Sequence, residues 1–181
     1  MAEHIHTAIR MRISWGGKIA AGIFAGILAA VLMIAVMMVG SGAVGMGATM
    51  PLKALAAFVF GVEALIEGSR AVAAGVGLQL AFSVFLGILF GLATSLRTST
   101  VLELLVGIVV GIAVWVAMDV YVLPFMNPTM AARVELMPIA YFVAHLLFGI
   151  GLGLTSLFTR ALSGRDRRTR PVEPPAEPLP T

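Results

Sequence analysis

Apolar residues run through this chain in long blocks, not in narrow stripes. Four blocks, residues 19–39, 71–96, 101–123 and 139–159, each reach the roughly 20 residues that a helix needs to cross about 30 Å of hydrocarbon. The first holds no charged side chain, and the second holds only Gln79 and a few hydroxyls as polar groups. A single segment in lipid satisfies its own backbone only as a helix, and these blocks are far too long for barrel strands. The pattern predicts an all-α, polytopic membrane protein: a transmembrane domain of four helices over residues 19–160.

The connections carry weaker signals. Residues 51–67 are mostly apolar, but Lys53, Glu63 and Glu67 fall near one helical face, with Thr49 placed to cap and Gly68 placed to stop. This predicts an amphipathic helix on, or dipping into, the outer face. A fifth span there would put the two terminal basic clusters on opposite sides of the membrane. Asn127-Pro128 reads as the cap and first residue of another short surface helix. Residues 161–181, rich in Arg and then in Pro, predict a disordered tail whose arginines rest on anionic headgroups.

Charge sets the orientation. Arg10, Arg12, Lys18, Arg97, Arg160, Arg165, Arg167, Arg168 and Arg170 share one side of a four-span chain, against Lys53, Arg70 and Arg133 on the other. The positive side faces the cytoplasm. Residues 1–18 and the tail are therefore expected inside, and the 51–67 helix on the periplasmic side of a bacterial inner membrane. The basic start, the apolar run and Ser41-Gly42-Ala43 imitate a signal peptide. The apolar run exceeds the usual length of about 7–15 residues, so an uncleaved first helix is expected.

Composition agrees with this picture and removes several chemistries. Charged residues make up 12% and mean hydropathy is +1.03, where a soluble domain carries about 25% charged residues. With no cysteine, thiol catalysis, disulfides and thiolate metal sites are excluded. The net charge of +3 sits at the ends of apolar blocks, where it orients a membrane protein and does not point to nucleic acid. No HExxH, GxSxG, phosphate loop or dinucleotide fingerprint occurs. The expectation is a protein without enzymatic activity or cofactor.

Each block carries one GxxxG: Gly22/Gly26, Gly87/Gly91, Gly107/Gly111 and Gly149/Gly153. Such pairs let helix backbones approach closely in lipid. Gly22-Ile23-Phe24-Ala25-Gly26-Ile27 also parallels Gly107-Ile108-Val109-Val110-Gly111-Ile112, and Gly87–Leu92 parallels Gly149–Leu154. This suggests two helical hairpins of equal orientation.

Polar residues inside lipid are candidate sites by default. Thr100-Val101-Leu102-Glu103 reads as a capping box, which makes Glu103 structural. Gln79, Ser83, Asp119 and His145 are different, because each continues an i, i+4 stripe with a glycine pair: Gln79-Ser83-Gly87-Gly91, Gly107-Gly111-Trp115-Asp119 and His145-Gly149-Gly153. If the glycines face neighbouring helices, so do these polar groups. A bundle pinched in its cytoplasmic half, with a small polar pocket in its outer half, follows. In it Asp119 and His145 would share a proton or fix the bundle register. Met33, Met37, Met38, Met46, Met50, Met118, Met126, Met130 and Met137 also fall in the outer half. They either fill gaps or, with an imidazole, suit Cu(I). Tyr121, Phe125 and Tyr141, with Trp15 at the opposite boundary, read as interfacial belts.

Phe82-Ser83 with Gly87 and Gly91, Leu123-Pro124, and His145 followed by Phe148-Gly149 resemble the YagU-like bacterial inner-membrane proteins. That resemblance implies an inner-membrane location and, as activity, only a role in acid tolerance. The Gly- and Met-rich connection between the first two blocks departs from that pattern. Two functions are expected on these grounds. One is a subunit or scaffold packing through its GxxxG faces against a second copy or a larger complex. The other is a small channel or transporter-like module, for protons or ions, with an outward polar pocket.

Overall fold

The computed structural model describes residues 15–94 and 99–169. The chain before Trp15, the end of the second predicted block with Arg97, and the tail from Arg170 lie outside the described residues. Four helical stretches, Trp15–Ala43, Ser69–Ala93, Thr100–Met126 and Pro138–Leu162, are long and apolar enough to cross a membrane. The first is α1 (Trp15–Ala43) and the second is α3 (Ser69–Ala93). The third is α4 (Thr100–Val116), a π-helical segment Ala117–Val122 and a short α5 (Leu123–Met126). The fourth is α7 (Pro138–Gly153), followed by α8 (Thr155–Thr169). Two short helices, α2 (Met50–Phe60) and α6 (Pro128–Leu136), complete the set. The predicted blocks fall within these stretches wherever they are described.

The helices alternate in direction. α1 and α7 pack along each other at the centre; α3 flanks α1 and α4 flanks α7, while α3 and α4 hardly touch. The two sequence-adjacent hairpins are sealed by the GxxxG pairs in one register. The carbonyls of Lys18, Gly22, Ser83 and Gly87 face Gly91, Gly87, Gly26 and Gly22. In the other hairpin the carbonyls of Glu103, Gly107, His145 and Gly149 face Gly153, Gly149, Gly111 and Gly107. At each of these eight glycines a Cβ would come within 3.0 Å of the partner backbone. Close Cα–H···O contact is what such seams offer. The shared register supports the hairpin duplication read from sequence. All eight glycines pack inside the chain.

At the seam end the backbone ends are satisfied. Lys18 Nζ donates to Thr94 O at 2.9 Å and to Leu92 O at 3.5 Å, closing the C-terminus of α3. The fourth stretch breaks at Leu154, where Thr155 Oγ1 turns back to Leu152 O at 2.6 Å. The freed N–H of Ser156 donates to Glu103 Oε2 at 3.1 Å. Glu103, only 2% exposed, is therefore no capping-box member. Ser99 caps α4, accepting from Leu102 N–H, and the carboxylate serves the neighbouring helix.

The opposite end is covered by the short helices. Asn127 caps α6 as its sequence suggests: its Oδ1 accepts from Met130 N–H at 3.0 Å, and Pro128 opens the helix. Its Nδ2 also donates to Ala54 O at 2.9 Å, tying α6 to α2. α2 is shorter than the helix over 51–67 expected on, or dipping into, the outer face. It stops at Gly61, whose φ of 62° only glycine adopts readily, and a 3-10 turn follows over Gly61–Leu65. Thr49 precedes it without making a side-chain cap. Leu52, Ala54, Leu55 and Ala56 are buried, and the Leu52 backbone lies against Gly75 of α3. The contact is backbone to backbone, so α2 is part of the bundle. The predicted disorder of 161–181 also starts too early, because α8 continues to Thr169. The first of the helix-breaking prolines comes only at Pro171.

Candidate intramembrane site

Beyond the glycine seam the helices diverge and leave a cavity of about 370 Å³. Gln79, Ser83, Asp119 and His145 all line it. They come from α3, the π segment and α7, and Met33 of α1 completes the ring. On α3 the i, i+4 spacing works as drawn: Gln79 Nε2 donates to Ser83 Oγ at 3.1 Å and lies 3.2 Å from Met33 Sδ. Ser83 is 1% exposed.

His145, also buried, has Nδ1 2.8 Å from the carbonyl of Tyr141 one turn earlier. A ring nitrogen facing a carbonyl carries the proton, so Nε2 is the acceptor of the neutral ring. Asp119 and His145 share the cavity, yet no hydrogen bond or ion pair joins them among the described residues. The π segment gives the physical reason. An i, i+4 stripe assumes 3.6 residues per turn, and the wider turn over Ala117–Val122 re-aims Asp119. Its Oδ1 is buried and makes no well-formed hydrogen bond, and the donor beside it, Trp115 Nε1 one turn before, likewise makes none. The Trp115 ring packs edge-on against Phe142 of α7, with centroids 5.1 Å apart.

Sequence reasoning missed Tyr141. Read as a belt aromatic, it is instead 1% exposed, lines the cavity, and has a buried hydroxyl without a partner. Its position one turn before His145 was the available signal. Tyr121 and Phe125, by contrast, are exposed as belt residues would be. Four of the methionines noted in sequence, Met33, Met118, Met126 and Met130, also line the cavity, whereas Met37 and Met137 lie in the apolar core. Among the described residues no three His, Asp or Glu side chains gather to hold a metal ion. A larger groove of about 620 Å³ between the ends of α1 and α7 is lined by apolar residues alone and brings no chemistry.

Over residues 17–168 the chain matches the family described as Family of unknown function (DUF6789). It belongs to that family. The DUF6789 match includes every seam glycine and all four predicted pocket residues. It does not extend to the YagU-like relation expected from the sequence. No curated protein and no solved structure matches the chain.

Proposed function

We propose that this member of the DUF6789 family is a non-enzymatic, transporter-like membrane module that holds a small ligand in the pocket between its diverging helices. One observation carries the reading. Polar side chains from separate spans line one cavity, and two of its groups, Asp119 Oδ1 and Tyr141 Oη, are buried without partners. Buried polar groups are nearly always satisfied, so an unpaired donor and acceptor in one cavity await water or a ligand. The scaffold alternative loses its support, because the glycine faces are consumed within the chain. In this reading the pocket lies in the outer half of a bacterial inner membrane, with both termini cytoplasmic and the arginine-rich tail on anionic headgroups.

The absence of native cysteine allows a direct test. Single Gln79→Cys and Asp119→Cys variants are treated with N-ethylmaleimide beside Val109→Cys, at an exposed position on the outside of α4. A hydrated polar pocket supports the thiolate that reacts, and hydrocarbon does not. Labelling at 79 and 119 should outpace that at 109 by about tenfold or more. Equal, slow labelling at all three positions would show that the cavity is dry and the reading wrong.

A further inference from the structure

We infer that the ligand is a lipid-soluble molecule with a compact hydroxyl-bearing head, and that it enters sideways from the bilayer between α3 and α4. The inference rests on the pocket reading above and names its ligand class and its route.

The route follows from what closes the cavity elsewhere. Towards the seam end, the backbones of the Gly22–Gly87 and Gly107–Gly149 contacts meet without room for a methyl group. At the opposite end Leu55 and Phe58 of α2, with Met126 and Met130 around α6, form part of the lining. α1 and α7, packed along each other, supply the back wall through Met33, Tyr141 and Phe148. The remaining side lies between α3 and the third span, which hardly touch. There the cavity is lined by Phe82 and Leu86 on one side and by Val114, Met118 and Val122 on the other. Phe82 is 52% exposed while lining the cavity, so this wall is also part of the outer surface of the bundle. In a membrane that surface meets acyl chains, which makes the opening lateral.

The ligand class follows from the lining. Most of it is apolar, and the few polar groups are too sparse to replace the hydration shell of an ion, whose desolvation costs several kcal/mol or more. The two unpartnered atoms are complementary. Tyr141 Oη is a phenol that can donate, and Asp119 Oδ1 is a carboxyl oxygen that can accept. A hydroxyl on the ligand satisfies both at once, accepting from Tyr141 and donating to Asp119. The volume suits such a head and its first carbons, at the lower end of the roughly 300–1,000 Å³ of small-molecule pockets. The rest of an apolar tail then stays in lipid.

The test uses the full chain in lipid nanodiscs with Trp15→Phe, which leaves Trp115, next to the site, as the only tryptophan. The probe is a ring-brominated 4-octylphenol, whose heavy atoms quench indole fluorescence. Its methyl ether and the matching brominated octylbenzene keep the tail and lose the hydroxyl. The phenol should quench saturably, about tenfold more tightly than the ether, the difference that one buried hydrogen bond makes, and more tightly still than the hydrocarbon, which loses both bonds. Asp119→Leu, which removes the acceptor, should erase the phenol's advantage over the ether, and Tyr141→Phe should weaken the phenol and the ether alike. A bulky Leu86→Trp plug, read by displacement of radiolabelled probe, should block binding.

Equal quenching by all three compounds, or none that saturates, would overturn the ligand class. Equally tight binding of a tailless bromophenol from water would overturn the lateral route. If Asp119→Leu does not fold, Tyr141→Phe, which removes one oxygen only, still decides, because it must weaken the phenol and the ether alike. Fast maleimide labelling at position 79 combined with failure of the phenol would leave the pocket reading standing and remove this inference alone.

Discussion

The two ends of the bundle solve the same problem in opposite ways. At the seam end, backbones touch through eight glycines, and most polar groups are paired: Lys18 with the carbonyls ending α3, Glu103 with the N–H of Ser156, Thr155 and Thr159 with carbonyls one turn back, leaving only the Ser156 hydroxyl unpaired among the described residues there. Past the seam, methionines and aromatics hold the helices apart, and Asp119, Trp115 and Tyr141 keep buried polar atoms without partners. Glu103 and Asp119 lie on the same transmembrane stretch, yet one carboxylate is enlisted by a neighbouring helix and the other is left open. An unmet buried polar group costs about 1–3 kcal/mol, and such groups persist where function requires them. The contrast assigns stability to the seam and, under the proposed function, leaves ligand chemistry to the cavity.

The sharpest way to break that division is to widen the seam. Gly87→Leu or Gly149→Leu drives a side chain into the opposing backbone, which cannot move as the end of a flexible side chain could. Overpacking a core typically costs about 1–3 kcal/mol and occasionally more; here the outcome expected is loss of the monodisperse folded protein in size-exclusion chromatography. Gly77→Leu, with open space around it, should elute as wild type. If all three behave alike, the seam is not the source of stability.

A second break targets the cover of the cavity. Asn127 is 2% exposed and uses both ends of its amide, towards Ala54 O and from Met130 N–H. Asn127→Leu removes the cap and orphans both groups, an expected loss of about 2–3 kcal/mol in chemical denaturation. Asn127→Asp keeps the cap and loses only the tie to α2, so it should fall between the two.

How far these features were legible depends on the range of the forces behind them. Block length is a property of each segment alone, so the four spans could be read directly. The Asn127-Pro128 cap is equally local. The glycines showed at which depth helices would meet but not which would meet. Three features depend on tertiary contacts and escaped. Glu103 serves a helix break 53 residues away. α2 ends at Gly61 and not Gly68, and which of its faces is buried is set by the backbone contact of Leu52 with Gly75. Asp119 follows a π turn that no 3.6-residue stripe anticipates. The pocket residues were recognisable as misplaced polarity in lipid; the unpaired state of Asp119 was not.

A milder test sharpens the comparison between the two carboxylates. Glu103→Leu leaves the Ser156 N–H buried without an acceptor and should cost about 1–2 kcal/mol. Glu103→Gln keeps a carbonyl oxygen in place and should recover most of that in the same thermal denaturation. If leucine is as good as glutamine, the bond to Ser156 contributes nothing to closing the helix break.

The smallest expected effect is the most discriminating. Tyr141→Phe deletes a hydroxyl from a side chain that is 1% exposed and makes no hydrogen bond through that atom. In a core organised only for stability, tyrosine hydroxyls are paired and their removal costs about 1 kcal/mol. Here nothing is lost on removal, and an unmet polar group disappears. The variant should therefore unfold within about 1 °C of wild type, inside the roughly 2–4 °C that 1 kcal/mol gives a chain of this length. A loss of 1 kcal/mol or more in ligand-free protein would mean that the hydroxyl has a permanent partner in the bundle, and the cavity would then have no open donor to offer a ligand.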